Sequence, residues 1–418
     1  MSGDGRPTPG RDRIDDAHVA ALLGLPGMGP ARARSLLVGR SPAEAWNGIV
    51  KGEVPMETGT LLGVRRSEVL RAWRVAATAT DPDQVLERIE GMGMRVSRPG
   101  RPGYPTQLVE DPDPPIAFFA VGADLLAGGL PRVAVVGTRR CSGYGSDVAI
   151  QLGRDLAAAG VVVVSGLALG IDAAAHGGAL SVPDGAPPLG VVGTGLDVIY
   201  PAANRALWRR VVSAGQLVSE MPPGAGPTRW CFPARNRIIA ALAHVLVVVE
   251  SHASGGSMHT VAAALERDRP VLAVPGPIHS PASEGSNRLL ADGAAPACGI
   301  DDVICALGLL GLSPDPAMPL QVSPAVRAPG PAAGSVDEAV LEAMGWSPTS
   351  PDALVERSGL GPVELGAAIA RLQEAGLVIE TRGFLERRRR AASTFPPASN
   401  PSPAFPSTSR SGKKPHVV

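Results

Sequence analysis

Four arginines stand where a phosphate-binding surface would want them. Arg139 and Arg140 follow Gly137-Thr138, and Arg235 and Arg237 flank Asn236. A guanidinium is a planar fork that matches phosphate oxygens in pairs. Hydroxyls at Ser142, Ser165 and Ser257 add neutral donors, and Gly137, Gly166, Gly195 and Gly256 let the backbone approach a ligand closely. The expected chemistry is therefore the holding of an anion. The titratable residues nearby read as support. Asp172 and His176, one helical turn apart, read as a helix cap and a partly buried imidazole. Glu220 reads as a neutraliser of Arg235 or Arg237, and Cys141 as a small filler.

These residues need one edge of a sheet to gather them. Short apolar, β-branched runs occur at 133–136, 161–164, 189–192, 245–249 and 271–274, with a further short strand at 216–218. Helical patterns such as 146–159 and 258–267 lie between. Alternation of this kind predicts an α/β, Rossmann-like parallel sheet, with ligands at the carboxyl ends of its strands. Every chemistry-bearing loop above follows one of those strands or opens the next helix. The loop 137–142 runs into a helix expected from about Gly145, whose free N–H groups would favour an anion.

The usual owners of such a phosphate are excluded. Gly143 and Gly145 come too late after the first strand for a dinucleotide fingerprint. The second strand ends in Ser165-Gly166, with no acid to hold a ribose, and no Walker lysine follows a glycine loop. With 39 basic and 39 acidic residues the chain does not coat nucleic acid by bulk charge, and its 3% aromatic content is low for a surface of stacking platforms. Only three of the basic residues are lysine, so an arginine is a weaker functional signal here than usual. Four cysteines without a C-x-x-C pair argue against a zinc site or disulfide framework. No apolar run is long enough to span a membrane and the N-terminus has no signal-peptide core, so a cytoplasmic protein with no membrane partner is expected.

Flanking the core (104–312), residues 1–13 read as disordered and 14–80 as a small helical domain. Within it Gly27 and Gly29 lie between two helical patterns, as in a helix-hairpin-helix whose turn would offer N–H groups to a DNA phosphate, with Arg32 and Arg34 assisting. The alternative is a plain tight turn. Residues 313–334 read as a linker, 335–390 as a winged helix, and 391–418 as a disordered tail. The recognition helix of that unit carries Glu364, Glu374 and only Arg371, which favours a protein-partner or structural role. The run Arg387–Arg390 is basic enough for non-specific nucleic-acid contact, or is a solvated helix end.

The loops together closely resemble the DprA/Smf family of bacterial DNA-processing proteins. The carrying segments are VAVVGTRRCSGYG, VVSGLALGIDAAAH, VVGTGLDVIYPAAN, LVSEMPPG, FPARNRIIAAL, SGGSMHT, VLAVPG and EGSNRLLADGA, in family order over about 104–310. The helical front, helix-hairpin-helix or SAM-like, and the winged-helix tail also fit larger members. The resemblance implies a core that binds single-stranded DNA without catalysis or cofactor, helps load RecA during natural transformation, and forms a homodimer. It carries DNA binding to Arg139, Arg235 and Arg237, and places Gly137, Ser142, Ser165, Gly166, Gly195, Asn236, Gly256 and Ser257 on loops around the pocket. Two positions depart from the family. Leu169 stands where many relatives have lysine, a loss that Arg140 would offset, and Gly255 stands where they have serine. A second reading, a phosphoribohydrolase-like enzyme or nucleotide sensor, ranks lower because Ala263 stands where its catalytic acid would be. A third, a structural protein whose core has lost binding, rests on Leu169 alone.

Overall fold

The computed structural model describes residues 9–101, 103–126, 128–313, 332, 334–345, 348–381 and 383–387. The chain begins with six helices: α1 (Pro9–Leu23), α2 (Pro30–Leu37), α3 (Pro42–Lys51), α4 (Met56–Leu61), α5 (Arg66–Thr78) and α6 (Pro82–Gly91). Local signals set several boundaries. Ser41 and Glu44 form a reciprocal capping box at the start of α3, and Gly52, at φ 83°, ends it in the left-handed region. Residues 9–13, expected to be disordered, lie in α1. The reason is long-range. Arg98 pairs with Asp12, Asp15 and Asp16, and Arg101 with Asp12 and Asp16, which fastens the start of α1 to a distant turn.

The core follows as β1 (Arg95–Ser97), β2 (Phe118–Gly122), β3 (Arg132–Val136), α7 (Gly143–Ala158), β4 (Val162–Ser165), α8 (Ile171–Ala179), β5 (Leu189–Val192), α9 (Arg205–Ala214) and β6 (Gln216–Ser219). It continues through α10 (Cys231–Leu242), β7 (Val245–Val248), α11 (Ser257–Leu265), β8 (Val271–Ala273), α12 (Glu284–Ala291), β9 (Ala295–Pro296) and α13 (Ile300–Leu309). One nine-stranded sheet has the order β1-β2-β6-β5-β4-β3-β7-β8-β9. From β6 to β9 every pairing is parallel; β2 joins β6, and β1 joins β2, antiparallel. The central strands are buried on both faces, as their unbroken valine runs require. The strand order reverses at β3 and β7, so their carboxyl ends open a crevice at the switch point.

The helical front is not independent of this core. Trp46 and Trp73 belong to the same buried cluster as Trp208 of α9 and Leu217 of β6. Helices continue to Gly91 and β1 then adds to the sheet, so no spare segment separates the front from the core. A separate small unit contains α14 (Val336–Met344), α15 (Pro351–Ser358), α16 (Pro362–Glu374), β10 (Val378–Thr381) and β11 (Phe384–Arg387), the last two an antiparallel hairpin. Val340, Leu354, Leu365 and Leu372 form its core. The expected linker at 313–334 falls mostly outside the described residues, and the tail at 391–418 wholly so.

Candidate nucleic-acid interface

At the switch point lies a crevice of about 740 Å³. One wall is the loop after β3, with Gly137, Thr138, Arg139 and Arg140; another is the loop after β7, with His252, Gly255, Gly256 and Ser257. The amino-terminal half of α10 and the segment before it close the site with Arg229, Phe232, Arg235 and Asn236. Gly137 is required where it stands. A Cβ there would meet the Glu250 carbonyl at 2.6 Å and Ile171 at the same distance. Asn236 donates to the Gly256 carbonyl at 3.1 Å and ties α10 to the β7 loop.

The arginines divide into three roles. Arg139, Arg140 and Arg229 are exposed, and among the described residues none of their guanidinium groups is ion-paired or hydrogen-bonded. Arg139 instead lies over the Phe232 ring, 5.1 Å from its centroid, and Phe232 packs on Tyr200 with centroids 5.4 Å apart. Arg235 is buried beneath the crevice. Its Nη1 donates to the Gly166 and Val191 carbonyls, and among the described residues its Nε has no partner. Burial pushes its pKa down, and nearby Asp172 opposes that shift. Gly166 and Leu169 line a smaller recess of about 70 Å³ beside Arg139 and Arg235.

Arg237 departs from the reading that placed it in the crevice. Its side chain faces the other way and forks onto both carboxylate oxygens of Glu220, at 2.7 and 2.6 Å. Successive helical residues turn by about 100°, so positions 235 and 237 lie on nearly opposite faces. Phe232, Arg235, Asn236 and Ile239 follow the helical period and share the crevice face of α10, and Arg229 reaches the crevice from the turn before it. That spacing is legible in the sequence; it adds Phe232 and removes Arg237, whereas Arg229 lies before the helix and carries no such signal.

Three other expected residues line neither the crevice nor the smaller recess. Ser165 is fully buried and donates to the Val135 carbonyl at 2.6 Å. Gly195 sits under the 222–224 loop, where a Cβ would meet the Pro222 carbonyl. Ser142 caps α7, accepting from Gly145 N–H. The amino terminus of α7 does not await a phosphate, because two carboxylates already occupy it. Glu250 accepts from Ser142 N–H at 2.9 Å and from its hydroxyl at 2.6 Å, and Glu386 of β11 accepts from Gly143 N–H at 2.7 Å. Burial drives the Glu250 pKa up, against the Ser142 hydrogen bonds.

The supporting residues also differ in detail. His176 is fully buried and does not bond to Asp172; its Nε2 faces the Leu189 carbonyl at 3.4 Å, and burial pushes its pKa down to about 4. Asp172 accepts instead from Ala168 N–H. The Cys141 thiol is pushed up to about 11 by burial, as suits a filler. In the front unit Arg32 donates to the Gly27 carbonyl and Arg34 pairs with Asp113, so both arginines of the glycine turn are committed to protein acceptors. In the last unit Arg371 pairs with Asp337, and Arg387 lies in a strand and donates to the Leu341 carbonyl. Residues 388–390 of the basic run lie outside the described residues.

A switch-point crevice rimmed by uncommitted arginines, on a core followed by a small helical unit with a β-hairpin, defines a Rossmann-like α/β protein. Residues 95–308 match the family described as DNA recombination-mediator protein A, and residues 323–383 match the DprA winged helix domain. The chain is 35% identical to the DNA processing protein DprA of Mycobacterium tuberculosis over 354 residues, covering 80% of this chain and 85% of that one. It is 36% identical to Protein Smf of Escherichia coli over 293 residues, covering 69% and 76%. The solved structure of DNA processing protein A from Streptococcus pneumoniae superposes with a TM-score of 0.56 at 30% identity, over 70% of this chain and 96% of that one. The chain belongs to the DprA/Smf family of DNA-processing proteins.

Proposed function

We propose that this protein binds single-stranded DNA in the switch-point crevice, by its phosphates and without sequence readout. The observation that carries this is the pairing of three uncommitted arginines, Arg139, Arg140 and Arg229, with the aromatic step made by exposed Tyr200 and half-buried Phe232. Forks at the rim suit phosphate oxygens, and an aromatic step suits the face of an unpaired base of any sequence. A duplex hides its base faces, which is why the step favours a single strand. Gly137, Gly256, Ser257 and Asn236 shape the walls, and Arg235 supplies positive potential from below. Protection of incoming strands, help in loading RecA, and action as a homodimer belong to this reading through the family.

The test is a titration of fluorescent oligothymidylate against the full chain across a salt series. Three phosphate contacts give a slope of about −2 in log affinity against log salt for a single strand. Arg139→Ala or Arg229→Ala flattens it by about 0.7 and weakens binding on every sequence alike. Phe232→Ala lowers affinity by about tenfold with the slope unchanged, as loss of a stacked base requires. Wild-type slope and affinity in both arginine variants would remove the crevice from the assignment. Nuclease digestion of a bound strand and the lag of RecA filament growth, each with and without the protein, test protection and loading.

A further inference from the structure

The residue that left the crevice has another occupation. Arg237 uses its whole guanidinium on protein. Nη2 takes both oxygens of Glu220, Nη1 donates to the Asp113 carbonyl at 2.6 Å, and Nε pairs with an Asp113 carboxylate oxygen at 2.8 Å. The other Asp113 oxygen pairs with Arg34 of α2, which also donates to the Pro114 carbonyl. Two residues earlier, Asp111 takes the fork of Arg267, which follows α11, at 2.7 and 2.8 Å. Both partners of that second pair are almost wholly buried.

One short segment, Asp111-Pro112-Asp113, therefore grips three helices. It holds α10 through Arg237, α11 through Arg267, and α2 of the front unit through Arg34. The first two are the crevice helices: α10 carries Phe232, Arg235 and Asn236, and α11 carries Ser257 and Thr260. The geometry points to Arg237 as a positioning residue that never meets the strand. Through Asp113 it couples the seating of the front helical unit to the spacing of the crevice walls. This inference rests on the proposed strand binding for its functional consequence, but not for the coupling itself. Arg237–Glu220 and Arg267–Asp111 are the desolvated links, where breaking a pair leaves a group buried without its partner, and half-exposed Asp113 joins them to Arg34.

The experiment uses the full chain in two readouts. Arg34→Ala removes the far end of the relay at a half-exposed site remote from the crevice face, so the fold survives it. Oligothymidylate affinity should fall by about fivefold at every salt concentration with the slope unchanged. Arg237→Gln should do the same, and the double variant should be no weaker than the weaker single, because both act on one link. Amide hydrogen exchange should speed up in the first turns of α10 in Arg34→Ala with no DNA present, while β7 stays protected. That second readout survives even if the wild type binds no strand, so failure of the binding assignment is separable from failure of the coupling. A slope flattened by about 0.7 in Arg237→Gln would make it a direct phosphate contact and overturn the inference. Unchanged α10 exchange together with unchanged affinity in Arg34→Ala would overturn it as well.

Discussion

Gly166 passes so close to Arg235 that a Cβ at 166 would overlap its Cζ and both terminal nitrogens. The guanidinium cannot give way without leaving the Gly166 and Val191 carbonyls, to which its Nη1 donates. Gly166→Ala is therefore expected to destabilise the chain by about 2–3 kcal/mol, read by urea denaturation, through overpacking and a lost charge-assisted bond. A variant as stable as wild type would show that Arg235 is held more loosely than its hydrogen bonds imply. At this scale the sequence was informative about residue type and less so about direction. Of the expected glycines, hydroxyls and arginines, Gly137, Gly256, Ser257, Arg139, Arg140 and Arg235 line the crevice, and Ser142, Ser165, Gly195 and Arg237 do not. Which arginines face it depended on helical phase along α10, which separates 235 from 237, and on long-range acids. Glu220 was legible as a neutraliser, but Asp113 was not, because 124 residues separate it from Arg237.

Among the elements, α7 concentrates the most chemistry at one end. Glu250 enters from the strand β7 edge and fills the helix terminus that a free phosphate would otherwise satisfy. Gly145 is glycine because a side chain there would strike that carboxylate. Glu250→Ala is expected to cost about 2–3 kcal/mol, since it strips the partner from a buried cap and leaves a void behind. The salt slope of strand binding should stay as in wild type, because Arg139 and Arg140 remain. A slope that changes with Glu250 would mean that α7 itself binds phosphate. The Glu386 contact brings the winged helix to the same terminus. In Glu386→Ala, protease cleavage within 313–334 is expected to accelerate relative to wild type, and an unchanged rate would show that this contact does not hold the unit. The strands that were legible were those buried on both faces, where valine runs announce them. Strands β1 and β2 were not read, because an antiparallel edge of three and five residues owes its conformation to its neighbours more than to its own pattern.

For the whole molecule, acid is the sharpest probe of what the fold buries. His176 is fully enclosed between α8 and the sheet, with a pKa near 4, and His244 is lowered to about 4 by burial beside Arg132 and Arg269. In the unfolded chain both titrate near 6.5, so the unfolded state takes up protons first as pH falls. Their contribution is fully present above about pH 6.5 and is lost progressively down to about pH 4. For His176 alone the loss approaches about 3 kcal/mol, the equivalent of the shift. Buried acids work in the opposite sense. Asp172, Glu220 and Glu250 all have raised pKa values from burial, so their protonation as pH falls favours the folded state and masks part of the histidine effect. A single acid-unfolding curve therefore cannot isolate the imidazole, but a pair of curves can. His176→Gln keeps a donor for the Leu189 carbonyl and removes the titration. Urea unfolding free energies of wild type and variant, taken between pH 8 and pH 4, should converge as pH falls. The variant starts less stable from imperfect packing and regains about 3 kcal/mol relative to wild type by the acid end. Parallel curves would mean that the imidazole titrates alike in the folded and unfolded chain, near 6.5, and that Arg235, whose charge stands behind the crevice, tolerates a second cation beside it as pH falls.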